Sequence, residues 1–119
     1  MDKFRPDSFL PLTPVAFEIL LALADGERHG YSILQEVESR SQGAGSLHAG
    51  TLYRALARLL ESELIDELAV SPDPDSSDER RRYYRLTTRG IAVARAEAGR
   101  LEGQVSAARA RKLLRGARV

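Results

Sequence analysis

Residues 47–63 read LHAGTLYRALARLLESE, and the rest of the chain is organised around this stretch. Its apolar residues recur at the spacing of one helical face, namely Leu52, Ala55, Leu56, Leu59 and Leu60. The opposite face is small or basic and comprises Gly50, Thr51, Arg54 and Arg58. Amphipathic helices are common on protein surfaces, but such side chains also reach base edges and phosphates when a helix enters a DNA major groove. The flanking segments decide between these two interpretations.

The composition narrows the class of protein. With 119 residues the chain fits a single domain. Because it has no cysteine, we expect no disulfide, no thiol nucleophile and no cysteine-based zinc site. No apolar run is long enough to span a bilayer, and no secretory leader is apparent, so we expect a cytoplasmic protein without a membrane partner.

The charge is nearly balanced, with a formal net charge of +1, but it is unevenly distributed. Residues 80–89 contain five arginines and no acid, whereas residues 73–79 before them contain four acids. From residue 103 onward the charged residues are all basic, namely Arg109, Arg111, Lys112, Arg115 and Arg118. Two basic clusters are compatible with nucleic-acid binding, although solvated loops and helix ends have the same composition.

The residues before the central helix predict an arm and a first helix. Residues 1–11 are polar and proline-punctuated, so we expect a flexible N-terminal arm. Thr13 and Pro14 then form a strong helix start, and the helix ends near Gly26. Because this helix is apolar nearly all round, we expect its second apolar side to contact another subunit through Phe17, Leu20 and Leu21.

The order of the remaining segments around the central helix predicts a winged helix. A second helix is predicted over residues 31–41, and the glycine-containing link 42–47 completes a helix-turn-helix pattern. After the central helix, residues 64–70 and 81–86 are predicted strands on either side of the turn-rich loop 71–79. A hairpin in this position forms a wing whose basic return strand would lie along the DNA backbone.

A long last helix is predicted after Thr87, its expected N-cap. Gly99 and Gly103 each cost it about 1 kcal/mol relative to alanine, so it needs a partner surface. Its apolar seam has alternating spacings of three and four and consists of Ile91, Ala94, Ala98, Leu101, Val105 and Ala108. We expect a homodimer in which this helix packs across the first helix of the other subunit; packing onto its own domain is the alternative.

Three stretches together resemble the PadR family of bacterial transcriptional regulators. They are residues 12–23 with HGYSIL at 29–34, GTLYRALARL at 50–59, and YYRLTTRG at 83–90. The resemblance agrees with a mainly α fold with a small β-hairpin wing (α+β), that is, a winged helix-turn-helix followed by a C-terminal dimerisation helix. It implies a homodimer on an inverted-repeat DNA operator, most often a repressor that a small-molecule effector releases.

Matched position by position, the resemblance places Thr51, Tyr53 and Arg54 at the DNA-facing start of the recognition helix. It places Arg81, Arg82 and Tyr84 in the wing, although strand alternation allows only one of the neighbouring tyrosines to face the core. The full predicted DNA-binding set is His48, Gly50, Thr51, Tyr53, Arg54, Arg58, Arg80, Arg81, Arg82 and Tyr84. For Tyr53 two interpretations stay open: a hydroxyl that reaches a phosphate, or a partly buried structural tyrosine.

The chain departs from the family pattern in three places. His48 and Ala49 replace a Ser-Pro pair, which removes the hydroxyl cap of the recognition helix; a protonated His48 could instead donate to phosphate. Glu63 replaces the glycine that usually precedes the next strand, which leaves the helix C-terminus open to question. The acids of the wing loop are expected to keep its tip off the DNA, or to hold it on the arginines when DNA is absent.

The predicted organisation is a flexible arm at 1–11, a winged helix-turn-helix DNA-binding domain at 12–87, and a dimerisation helix with a basic tail at 88–119. No catalytic residue, metal site or cofactor is expected, because the chain has two histidines, no glycine-rich phosphate loop and no acid pair at a spacing suited to proton transfer. The alternative function is a winged-helix protein–protein module that uses the same helix face without specific DNA binding.

Overall fold

The computed structural model describes residues 3–41, 49–68 and 82–115. In chain order the elements in these ranges are a 3₁₀ helix at Pro6–Phe9, α1 at Pro14–Leu23, β1 at Arg28–His29, α2 at Gly30–Ser41, α3 at Ala49–Glu61, β2 at Ile65–Leu68, β3 at Tyr83–Leu86 and α4 at Thr88–Ala110. The described part is mainly helical with a small antiparallel sheet, which confirms the predicted fold class. No helix in it is long and apolar enough to cross a membrane.

The first helix, α1, begins and ends where the sequence predicts. The Oγ1 atom of Thr13 accepts a hydrogen bond from the Ala16 N–H at 3.2 Å, which satisfies one donor that the helix N-terminus leaves without a backbone partner. The chain turns away from the helix at Gly26, whose φ of +136° suits glycine. The helix contributes to the core through Ile19, Leu20, Ala22 and Leu23.

The central helix, α3, packs its leucine face against this core. Leu52, Leu56 and Leu59 are buried, as the spacing predicts, and Leu60 lies half-buried at the edge of the face. Helices α1, α2 and α3 contact one another, so α3 is fixed on its apolar side. The predicted link 42–47 lies outside the described residues.

The end of α3 has glycine-type geometry without a glycine. Glu63 has a φ of +63°. Its N–H donates to the Leu60 carbonyl at 3.0 Å, and the Leu64 N–H donates to the Leu59 carbonyl at 3.0 Å. These two bonds form a Schellman motif, which satisfies carbonyl groups that the helix C-terminus leaves open. The replacement of glycine therefore leaves the shape of this terminus unchanged, with Glu63 in the left-handed conformation.

The sheet has the strand order β1-β3-β2, and both strand pairs are antiparallel. His29 lies opposite Tyr83 in one pair, and Ile65 lies opposite Leu86 in the other. The pairing of β2 with β3 matches the two strands predicted for the wing, within the part of the hairpin that is described. Strand β1 was not predicted, because two residues are too few to show alternation.

The N-terminal segment, residues 3–12, packs against the domain. Phe9 and Leu12 contact the core, and the guanidinium of Arg89 lies 4.8 Å from the ring centroid of Phe4. The Leu12 N–H donates to the Glu97 carboxylate at 3.2 Å. The expected flexible arm over residues 1–11 is therefore wrong for residues 3–11, because burial of their apolar side chains offsets the entropy that the polar, proline-rich composition favours.

The last helix, α4, starts at the predicted cap. The Thr87 Oγ1 accepts from the Gly90 N–H at 3.0 Å, and the same hydroxyl donates to the Glu63 carbonyl at 2.8 Å. Gly90, Val93 and Glu97 form the buried face of the first half of α4. The second half, after Leu101, is mostly exposed in the single chain. Residues 116–119 of the predicted basic tail lie outside the described part.

Candidate nucleic-acid interface

The outer side of α3 carries most of the predicted DNA-binding residues that the structure describes. Gly50, Tyr53, Arg54 and Arg58 are exposed, and Thr51 is half-buried at the edge of this side. Because the leucine face fixes α3 to the core, the outer side stays accessible and rigidly oriented. A helix held in this way can present its side chains to base edges and phosphates.

Arg54 and Arg58 lie one helical turn apart and therefore share one edge of α3. The Nη2 atom of Arg54 is 3.4 Å from the Thr51 Oγ1. Neither arginine forms an ion pair with a carboxylate in the described ranges. Two guanidinium groups without an acidic partner keep their charge available for an anion such as a phosphate.

Tyr53 projects from the other edge of the same face and contacts the start of α2. Its side chain is 48% exposed, and its ring lies against Gly30. A Cβ atom at Gly30 would lie 3.0 Å from the Tyr53 Cε1 and 3.1 Å from its hydroxyl. The contact of the ring with Gly30 and the 48% exposure of the side chain agree with both interpretations of this tyrosine, since one side chain can be structural and still offer a hydroxyl to a phosphate.

An aromatic cluster surrounds the start of α2 and was not predicted as part of the site. The His29 ring lies edge-on to Tyr83, with centroids 5.4 Å apart, and stacks with Tyr31 at 6.4 Å. The Nδ1 atom of His29 accepts from the Ser32 N–H at 3.1 Å and so caps α2. The HGYSIL motif contains His29 and Tyr31 and was the sequence signal for this cluster. The contact of His29 with Tyr83 of the wing depends on strand β1, which was not predicted.

The wing strands carry charges that are already paired within the described residues. Arg82 is 67% exposed, and its Nη1 lies 3.3 Å from a carboxylate oxygen of Glu67. The Arg85 Nε lies 3.8 Å from an oxygen of Asp66. Exposed pairs of this kind are weak, so Arg82 can exchange Glu67 for a phosphate at little cost. The predicted contacts His48, Arg80 and Arg81 lie outside the described residues.

Tyr84 faces the core and not the solvent. It is 5% exposed, and burial raises the pKa of its phenol, an effect that the nearby Glu67 strengthens and Arg82 opposes. The more exposed neighbour in the strand is Tyr83, which is half-buried. The prediction of Tyr84 as a DNA contact is therefore wrong in orientation: alternation requires that one of the two tyrosines be buried, but does not say which one.

Some of the residues predicted for dimerisation are exposed on the single chain and can contact a second subunit, whereas others are buried within it. Leu20 is 0% exposed inside its own chain, so it cannot contact a second subunit, and its assignment to the interface is wrong. Phe17 is half-buried and Leu21 is exposed. On α4, Ile91, Ala98 and Val105 are exposed, whereas Ala94, Leu101 and Ala108 are partly buried.

The sequence did not predict an ion pair beside this seam, in which the carboxylate of Glu97 is buried and Arg100 is half-buried. Glu97 is 2% exposed, and its carboxylate accepts from the Arg100 Nε at 2.6 Å and from the Arg100 Nη2 at 2.9 Å. The hydrogen bonds from Arg100 hold the pKa of Glu97 below its ordinary value, although burial opposes this shift. The spacing of Glu97 and Arg100 alone would place both residues on a solvated helix face. The segment that buries Glu97 is the N-terminal one, which is distant in the sequence.

Comparison with known proteins gives consistent matches. A family model described as the Transcriptional regulator PadR-like family matches residues 19–96. A PadR family transcription regulator from Clostridium difficile R20291 is 27% identical, with a TM-score of 0.70, and the match covers 82% of this chain and 96% of that chain. For a transcriptional regulator from Clostridium thermocellum the identity is 26%, the TM-score is 0.65, and the coverage is 85% and 90%.

One curated relative is more similar in sequence over a shorter stretch. An uncharacterized protein from Lysinibacillus sphaericus is 35% identical over 74 residues, which cover 62% of this chain. The chain spans 65% of the length of that relative.

Proposed function

The chain belongs to the PadR-like family of transcriptional regulators, and from this premise we propose that it is a sequence-specific DNA-binding regulator that acts as a homodimer. Members of this family are transcriptional regulators and not enzymes. The observation that carries the proposal is the outer face of α3, where Arg54 and Arg58 have no acidic partner in the described ranges. Residues 12–87 form the DNA-binding domain, and residues 88–119 form the dimerisation region.

The homodimer is supported by the distribution of apolar side chains on α4. Ile91 and Val105 on α4, and Leu113 and Leu114 in the residues that follow it, are exposed in the single chain. Exposed apolar side chains along and just beyond one helix gain stability from a partner surface. A two-fold dimer would place two copies of α3 in successive major grooves about 34–36 Å apart, which requires an inverted-repeat operator.

Repression and its release by a small molecule complete the proposed function. A groove of about 570 Å³ lies between the end of α1 and the seam side of α4, beside Ile91 and Ala94. Its lining is mainly apolar and also includes Glu27, Arg85 and Arg95. Its size is within the range of small-molecule sites. A molecule bound there would press on the surface that dimerises, and so would change the separation of the two recognition helices.

Selection of DNA sites from a random pool by the purified protein tests this function. A palindromic site with half-sites one helical turn apart is expected. On that site Arg54→Ala should weaken binding far more than it weakens binding to random DNA, whereas Arg82→Ala should weaken both alike. Equal losses on every sequence for Arg54→Ala would remove the base-reading role of this residue.

A protein–protein module is the second candidate, and the pairing of Arg82 with Glu67 and of Arg85 with Asp66 favours it. Paired charges leave the described wing strands with a weak attraction for phosphate. This candidate predicts that no salt-dependent association with any DNA is found.

A further inference from the structure

A groove separates the recognition helix from the N-terminal segment. Its volume is about 350 Å³, and it runs between α3 and the segment that leads into α1. The lining is mainly aliphatic, with Leu12, Val15 and Ala16 on one wall and Ala55 and Leu59 on the other. A cleft of this size and composition is typical of small-molecule sites.

The charged side chains in the described lining of the groove are both arginines. Arg54 and Arg58 line it from α3, together with the hydroxyl of Thr51. Its described lining includes no aspartate or glutamate, and the two arginines have no carboxylate partner in residues 3–41, 49–68 and 82–115. The groove therefore combines apolar walls with two guanidinium groups that can donate paired hydrogen bonds.

We propose that this groove binds a medium-chain alkyl carboxylate. The carboxylate accepts hydrogen bonds from Arg54 and Arg58, and the alkyl chain lies against Val15, Ala16 and Leu59. A single anionic group matches the paired donors of Arg54 and Arg58. A flexible aliphatic chain matches the walls, because the described lining is mainly aliphatic and its aromatic residue is Phe9.

The site gives the regulator a direct form of control that rests on the proposed function. A carboxylate on Arg54 and Arg58 occupies the donors that DNA phosphates or bases would use. Ligand and DNA therefore exclude each other on one subunit, without any change at the dimer seam.

Titration of the full-length protein with sodium octanoate, followed by amide NMR, tests the site in the absence of DNA. Saturable shifts at Ala16 and Ala55 are expected, with affinity reduced about tenfold in Arg54→Gln or Arg58→Gln, because each variant loses a charge-assisted hydrogen bond. Octan-1-ol, which keeps the chain but lacks the carboxylate, should bind about tenfold more weakly. Arg109→Gln, which removes an exposed arginine on α4, is the matched control and should leave the affinity unchanged.

A second variant separates the groove from the arginines. Ala16→Leu fills the wall opposite α3 and is expected to abolish octanoate binding while DNA binding persists; circular dichroism checks its fold. Octanoate should displace DNA from the wild-type protein and not from Ala16→Leu, whereas sodium acetate at equal concentration should act on both alike through ionic strength.

The outcomes keep the two proposals distinct. Saturable octanoate binding without any DNA binding would support the groove and overturn the proposed function. DNA binding with no saturable shift, with equal affinity for octan-1-ol, or with wild-type octanoate affinity in both arginine variants would overturn the alkyl carboxylate site alone.

Discussion

At the scale of single residues, Glu63 holds a conformation that costs free energy. Its φ of +63° lies in the left-handed region, where a side chain is penalised by about 1 kcal/mol. Its ion pair with Arg89, at 3.7 Å between exposed side chains, contributes little. We expect Glu63→Gly to raise the free energy of unfolding by about 1 kcal/mol in urea denaturation.

Ala57→Gly is the matched control for that variant, because Ala57 lies inside α3 and is exposed. A glycine there should lower the stability by about 1 kcal/mol. A loss of stability in Glu63→Gly would show that the side chain of Glu63 contributes more than its backbone costs.

Glu97 makes stability depend on acid pH. Arg100 lowers its folded pKa below the ordinary value of 4.5, so the folded state binds this proton less readily than the unfolded state. The resulting stability is complete above about pH 5 and is lost as the pH falls through the folded pKa. We expect Glu97→Gln to be less stable than wild type at pH 7 by about 1–2 kcal/mol, with the difference shrinking below pH 4.5.

Thermal unfolding between pH 3 and pH 7 measures this convergence. Glu102→Gln, which changes an exposed carboxylate on the same helix, should follow the wild-type curve. A difference between Glu97→Gln and wild type that stayed constant with pH would assign the loss to packing rather than to ionisation.

At the scale of elements, the backbone at the start of α4 lies directly against the backbone of Leu64, which follows the end of α3. A Cβ atom at Gly90 would lie 2.0 Å from the Leu64 carbonyl oxygen, so the two segments would have to separate. We expect Gly90→Ala to destabilise the protein by about 2–4 kcal/mol. Gly99→Ala, with no atom within 4 Å of the added Cβ, should stabilise α4 by up to about 1 kcal/mol.

Thermal melts of the two alanine variants at one protein concentration distinguish these effects. Equal melting temperatures would mean that the approach of Gly90 to Leu64 relaxes without cost.

The elements themselves were largely predictable, because their signals are local. A threonine cap followed by proline marks α1, the leucine spacing marks α3, and Thr87 marks α4. The packing of the N-terminal segment was not predictable, since it depends on Glu97, which lies 85 residues beyond Leu12 in the chain. The same holds for Leu20: an apolar residue on a helix that is apolar all round carries no sign of which side faces its own core.

At the scale of the whole molecule, the exposed half of α4 argues for a second copy. Val105 is 36% exposed and lies in the predicted seam. We expect Val105→Asp to weaken the proposed dimer at least tenfold, since it places a charge where an apolar side chain would be buried in each subunit. Sedimentation velocity over a range of concentrations measures the change.

Ser106→Asp is the control for that experiment, because it adds the same charge one position away, at an exposed residue outside the seam. A Val105→Asp protein that sediments like wild type would show that subunits associate through another surface.

The candidate site was predictable on α3 and less so around it. Exposure of Arg54 and Arg58 follows from helical spacing, and spacing is a property of the sequence alone. The orientation of Tyr84 depends on strand register, and the contact of Tyr53 with Gly30 depends on the distance between two helices. Neither quantity can be predicted from the local sequence pattern.

The three bonds around Thr87 have a mechanical consequence. Its hydroxyl and its N–H hold the carbonyl groups of Glu63 and Leu64, at 2.8 Å and 3.1 Å, while it caps α4. The recognition helix and α4 are thus rigidly joined at Thr87, and each acts as a lever arm for the other. With 23 residues, α4 is about 34 Å long, so a tilt of about 10° about its C-terminal end moves the junction at Thr87 by about 6 Å. In the proposed dimer, small rotations between the two α4 helices would therefore cause large changes in the distance between the two recognition helices.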